Sequence, residues 1–252
     1  MPAESRDAER RAIRLLERGR LRAALAVTTV GLCRDVNAAR LWLLRAAIHH
    51  GQQDWSKALG DIEHAMTFVP LPPSGQLVLA DCYWFTGRHD LALLAYEHSL
   101  NAVDQEPEFY AGVYAGLLRC ERRDLALQCC RVAVESNPDD HAALFAMAHC
   151  MVALAYDATY VASVLERAVG TAPDRDVYRI SLTLQLTRCG RAEEAYEQLA
   201  EASVAPLAEM TCGCSVGCLL RLCVWARDAT RAGVLKTRLH ELRRGQAKPD
   251  GA

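Results

Sequence analysis

Aromatic residues make up only 6% of this 252-residue chain. That is too few for a typical β-sandwich and suits an Ala- and Leu-rich helical packing. Long apolar runs are missing too. No stretch approaches the roughly 18 uninterrupted apolar residues of a membrane-spanning helix, so none is expected. Neither sign of charge dominates: 29 Lys+Arg stand against 31 Asp+Glu, a net −2 and a pI near 6.4. Non-specific attraction to nucleic acid or to an anionic membrane is therefore not expected. Gly-rich phosphate loops, H-E-x-x-H and G-x-S-x-G are all absent, so the expectation is no enzyme, no cofactor and no catalytic residue. The first residues lack the apolar core of a secretory signal, and Glu4, Asp7, Glu9 and Glu17 argue against a mitochondrial transit peptide. The 11 cysteines, odd in number and scattered, read as reduced thiols, which makes a soluble cytoplasmic protein the expectation.

What is present is a 51% hydrophobic, 24% charged composition, typical of an ordered globular chain. Its length allows one long domain or two short ones. Early-helix alanines recur at Ala24, Ala58, Ala92 and Ala126, each 34 residues apart, and the series resumes at Val161 and Ala195 after a one-residue insertion near Tyr156. Seven residues on come Gly31, Ala65, Ser99, Ala133, Ala168 and Ala202, all small. Between them lie Thr28, Ile62, Tyr96, Cys130, Leu165 and Leu199. A turn column follows at Val36, Pro70, Asp104, Pro138, Pro173 and Leu207, and Gly19, Gly87 and Gly190 stand five residues ahead of the first column. Amphipathic helices repeated at this period cannot bury their apolar faces alone, so neighbours must stack.

This pattern resembles the tetratricopeptide repeat (TPR) family. Trp42 matches its opening tryptophan, with Tyr110 and Phe145 as stand-ins, and Tyr83 matches its later tyrosine. The Leu-Gly pair is not kept: its small position holds Ala12, Ala46, Ala80, Tyr114, His149 and Thr183. Repeats begin near residues 5, 39, 73, 107, 142 and 176. A capping helix pair is expected over 208–244, read as Ala208–Ala226 and Ala229–Arg244, and a disordered tail over 245–252. The resemblance implies an all-α, right-handed superhelical solenoid, and with no internal linker the chain reads as a single domain over 1–252. Asn137-Pro138-Asp139-Asp140 stops one helix and offers an acidic N-cap to the next.

The resemblance also implies a partner-binding groove, lined by positions 2, 5, 9, 12 and 13 of each repeat. Here these give Leu43, His50, Leu77, Asp81, Trp84, Phe85, Glu108, Leu118, Arg119, Ile180 and Leu184 as the candidate site, with Ala143, Ala146, Cys150, Ala153 and Leu154 in the fifth repeat. No Asn or Lys occupies any groove position, so a clamp for a carboxylate tail is not expected. An apolar peptide or helix of a partner protein is, which makes an adaptor or chaperone the leading expectation. Charge offers an alternative. Residues 1–34 and 207–252 each carry eight Lys/Arg against four Asp/Glu, so each end is +4 and the middle −10. Basic ends on acidic middles would give a self-assembling homo-oligomer. A third reading is a thiol or metal module at Cys212, Cys214, Cys218 and Cys223: on an intact helix the four cannot converge, whereas unwinding of Thr211–Gly217 at Gly213 and Gly217 would allow it; packing thiols and no metal are the expectation. Cys129 and Cys130 read as packing residues, and His49, His50 and His89 as packing or surface histidines.

Overall fold

The computed structural model describes residues 3–101 and 109–246. Asp104, Pro107, Glu108 and residues 247–252 of the expected tail lie outside the described residues. Among the described residues all regular structure is helical, and no helix is long and apolar enough to cross a membrane. The helices fall into two compact units, Met1–Ser136 and Asn137–Ala252. The first holds α1 (Ala3–Glu17), α2 (Leu21–Arg34), α3 (Ala39–Gly51), α4 (Trp55–Met66), α5 (Pro73–Phe85), α6 (His89–Leu100), α7 (Tyr110–Arg119) and α8 (Arg123–Ser136). The second holds α9 (His141–Ala153), α10 (Ala158–Thr171), α11 (Asp176–Arg188), α12 (Ala192–Glu201), α13 (Ala205–Glu209), α14 (Gly213–Trp225) and α15 (Ala229–Gln246). Within each unit, successive antiparallel pairs stack: α3 packs on α2, α5 on α4, α7 on α6 and α11 on α10.

One turn geometry closes every pair. A residue with positive φ stands at Gly19, Gln53, Gly87 and Glu121 in the first unit and at Ala155, Gly190 and Arg227 in the second. The N–H of the next residue reaches back across the helix end, as from Arg20 to the Leu15 carbonyl (2.8 Å), from Tyr156 to Met151 (2.9 Å) and from Asp228 to Cys223 (2.9 Å). This is the Schellman arrangement that satisfies the last carbonyls of a helix. Glycine marks three of the seven turns, so α14–α15 was legible only as a degraded cap; its Arg227 turn makes it a seventh copy of the same unit.

Three expectations are corrected here. Residues 208–209 do not belong to α14: Pro206 opens the short α13, Met210 is extended, and Arg238 Nε donates to the Met210 carbonyl at 2.7 Å. Gly245 and Gln246, expected in the tail, close α15 instead. The fifth repeat is also shifted. The Ala155 turn lies 34 residues after Glu121, so the extra residue falls after α9 and the repeat starts at His141 rather than Ala142. One residue rotates a helix by about 100°. Ala143 and Cys150, expected on the groove face, are accordingly buried, and Ala148 fills the small position at 1% exposure in place of His149.

The repeating columns form the core. Ala24, Ala58, Ala92, Ala126 and Ala195 are fully buried, as are Thr28, Tyr96, Cys130 and Leu199 beside them. Small residues there let helices approach at the close end of the usual 8–10 Å spacing. At Gly31 even a methyl group would meet Leu41 Cδ1 at 2.7 Å. Asp140 caps α9, accepting from the N–H groups of Ala142 (2.9 Å) and Ala143 (3.0 Å).

Candidate functional site

In the first unit, α3, α5 and α7 are the first helices of consecutive pairs, and they carry candidate residues His50, Asp81, Phe85 and Arg119 to one place. Asp81 is the hub. His50 Nε2 lies 2.8 Å from its Oδ2, and both the Tyr96 hydroxyl and Arg119 Nη2 donate to its Oδ1. Arg119 Nη2 also donates to the Tyr96 oxygen at 2.6 Å. Burial, then the Asp81 charge, pushes the Tyr96 hydroxyl well above its ordinary pKa, so it stays protonated as a donor. Such a hydrogen-bonded network fixes the positions of its members, although the buried Arg119 Nε has no hydrogen-bond partner among the described residues.

An aromatic shelf lies against this hub. Trp55, at the start of α4, stacks on Phe85 with ring centroids 4.2 Å apart and planes at 16°. His50 meets Trp55 edge-on at 5.2 Å, and the Arg119 guanidinium lies 5.2 Å from the Phe85 ring centre, within cation–π range. Phe85 nevertheless remains 46% exposed. Gly116 makes the arrangement possible: a Cβ there would fall 2.1 Å from Tyr96 Cε1 and force the ring away from Asp81.

The other candidates of this unit lie away from the hub or outside the described residues. Trp84, the neighbour of Phe85, packs on His89 with centroids 4.4 Å apart. Leu43 packs against the core formed by Ala46, Ala58, Leu59, Ile62, Leu79 and Cys82. Leu77 fills the space beside Gly112, where a Cβ would meet its Cδ2 at 2.6 Å. Leu118 is half-buried, and Glu108 lies outside the described residues. Trp55, Tyr96 and Gly116 were missed in the sequence. The available signal was Tyr96 itself, the one aromatic in a column of Thr28, Ile62, Cys130, Leu165 and Leu199.

The second unit holds a separate, mainly apolar cleft of about 160 Å³, lined by Phe145, His149 and Val152 of α9, Leu165 of α10 and Leu184, Gln185 and Arg188 of α11, with Ala148, Ser181 and Ser215 beside them. The corrected register is what turns Phe145, His149 and Val152 toward it. Phe145 is held by stacking on Tyr178 at 4.5 Å, and the Tyr178 hydroxyl meets His141 Nδ1 at 2.9 Å. Of the two candidates here, Leu184 lines the cleft, whereas Ile180 is buried at 6% exposure and offers no surface to a partner.

The cysteines diverge. Cys214, Cys218 and Cys223 ride one continuous helix, with Cys214 exposed, Cys218 half-buried and Cys223 fully buried. Burial pushes the Cys223 thiol up to about 11. Cys212 stands at the N-cap position of α14 and is exposed; the adjacent Ser215, its side chain first and then its backbone, holds the thiol below the ordinary value. Among the described residues, no three His, Cys, Asp or Glu side chains come together as a metal site.

Stacked helical pairs with small residues at the crossings and left-handed turns define the fold as that of the tetratricopeptide-repeat proteins. Solved structures of that class superpose on the chain. The C-terminal part of a TPR repeat-containing protein from Cytophaga hutchinsonii is 15% identical, over 93% of this chain and 95% of that one, with a TM-score of 0.69. A tetratricopeptide repeat protein from Parabacteroides merdae is 12% identical, over 96% and 94%, with a TM-score of 0.56. YrrB, a TPR protein with an unusual peptide-binding site, is 17% identical over 66% of this chain and 86% of its own, with a TM-score of 0.54. No protein-family model and no curated protein sequence matches the chain.

Proposed function

We propose that this protein is a non-enzymatic interaction scaffold of the cytoplasm, and that the Phe85–Trp55 shelf of its first unit receives an apolar or aromatic side chain from a peptide or helix of a partner protein. The observation that carries the reading is Phe85, pinned between Trp55 and Arg119 yet 46% exposed. A rigid, partly exposed aromatic loses little conformational freedom on binding, which is what an interface anchor requires. The Asp81 network supports this by holding three first helices in register behind the shelf. The peptide-binding site of YrrB, which shares the fold, supports it by analogy. The Phe145–Val152–Leu184 cleft of the second unit suits a single apolar side chain in the same way. Adaptor and chaperone are the two finer forms this activity would take.

The test separates the adjacent aromatics. Partners are captured on the wild-type protein, the dominant one is identified, and its affinity is measured against Phe85→Ala and Trp84→Ala. Phe85→Ala should keep the helical signal and weaken binding by about 1.5–3 kcal/mol, the value of one buried large side chain. Trp84→Ala should instead lower the unfolding midpoint and leave affinity largely intact. Equal affinity of wild type and Phe85→Ala would remove the shelf from the site.

A further inference from the structure

Beyond the shelf and the cleft, the outer face of the α14–α15 pair differs from its counterpart in every earlier pair. Counted from the left-handed turn residue, with one residue more allowed in the pair that follows Ala155 for its insertion, Lys236 stands where the others place Thr28, Ile62, Tyr96, Cys130, Leu165 and Leu199, each no more than 1% exposed. Leu239 stands where they place the second small column, Gly31 to Ala202, which is buried throughout. Within the units, α3, α5, α7 and α11 each pack on the second helix of the pair before. Among the described residues no helix follows α15, and the equivalent seat is an open cleft of about 780 Å³.

Its lining has two parts. Leu220, Val224 and Leu239 form an apolar floor, with Val224 64% exposed and Trp225 beside it 54% exposed. Lys236, His240 and Arg243 form the rim, and no carboxylate lines the cleft. The nearby acid on α15, Glu241, is engaged by Arg238 at 2.9 Å. A face that met only water would need no apolar floor, and a second copy of the same face would bring cation against cation.

We propose that this end face docks an amphipathic helix of a partner protein that is apolar on one side and acidic on the other, seated where a following repeat would place its first helix. Helical shape follows from the seat, apolar contacts from Leu220, Val224 and Leu239, and the sign of charge from Lys236, His240 and Arg243.

The test uses the full chain and a fluorescent synthetic peptide with leucines on one helical face and glutamates on the other, beside a mirror peptide with lysines for glutamates. Anisotropy should show saturable binding of the acidic peptide that weakens with salt, and none of the lysine peptide. Lys236 and Arg243 are exposed, so Lys236→Glu/Arg243→Glu should keep the helical signal and unfolding midpoint. That variant should lose the acidic peptide by about tenfold or more and gain the lysine one. Val224→Asp, altering the floor alone, should weaken the acidic peptide too. The proposal is overturned if wild type does not bind the acidic peptide, or if charge reversal leaves its affinity unchanged. Binding of phosphatidylserine vesicles or duplex DNA in place of the peptide overturns it as well. Neither substitution touches the Phe85 shelf, so failure here and failure of the shelf are read separately.

Discussion

Four of the seven left-handed turn residues, Gln53, Glu121, Ala155 and Arg227, are not glycine. A Cβ in that conformation costs roughly 1–2 kcal/mol, offset in part by the smaller entropy loss of a non-glycine residue on folding. Ala155→Gly should therefore stabilise the protein by about 0.5–1 kcal/mol and Gly87→Ala should cost about as much, read from the midpoints of urea unfolding. Thiol reactivity is a second residue-scale property. Cys212 is exposed and held low by Ser215, whereas burial first, then Asp81 and Glu63, pushes Cys82 up to about 12. Iodoacetamide near neutral pH should label Cys212 well before Cys82 or Cys223, which should react only on unfolding. Its rate should rise with pH and level off below the range of an ordinary thiol, and Ser215→Ala should move that midpoint upward. Mass spectrometry of the labelled peptides checks both.

At the scale of the element, the 34-residue period made the pairing of helices legible because small residues and turn glycines leave a composition signal. Side-chain direction was less legible. Starting the fifth repeat at 142 rather than 141, ahead of the insertion near Tyr156, turned the α9 face by about 100°, hiding Phe145, His149 and Val152 behind Ala143 and Cys150. The Asp81 hub was half legible: spacing put His50, Asp81, Phe85 and Arg119 on first helices, but Tyr96 and Trp55 arrive from second helices, which groove spacing does not address. Gly116 left no signal because its role is the absence of a methyl group. Gly116→Ala would be helix-favouring in isolation, yet here it should destabilise by about 1–3 kcal/mol through the Tyr96 ring. It should also weaken partner binding at the shelf, a pairing of effects that a purely structural glycine would not give; calorimetric unfolding and titration with the captured partner measure the two.

At the scale of the whole molecule, the fold class was readable from the repeat alone, since stacked units of one period allow few other architectures. The division into Met1–Ser136 and Asn137–Ala252 was not, because no Gly- or Ser-rich linker marks it. Charge was legible as a sum and not as a surface: the +4 of residues 207–252 includes Arg231 and Arg238, already engaged by Asp228 and Glu241, while Lys236 and Arg243 line an open cleft. The self-assembly reading draws on that sum. It requires concentration-dependent oligomers in light scattering that dissolve as salt rises, and a strict monomer at low salt and high concentration removes it.

The shared turn has a further consequence for experiment. Because a left-handed residue recurs in all seven pairs, each position in one pair has a numbered counterpart in the other six. The same substitution can be introduced seven times in one protein, against seven different sets of neighbours. The spread of those results would separate what the local backbone contributes from what the surroundings add, with the molecule serving as its own reference series.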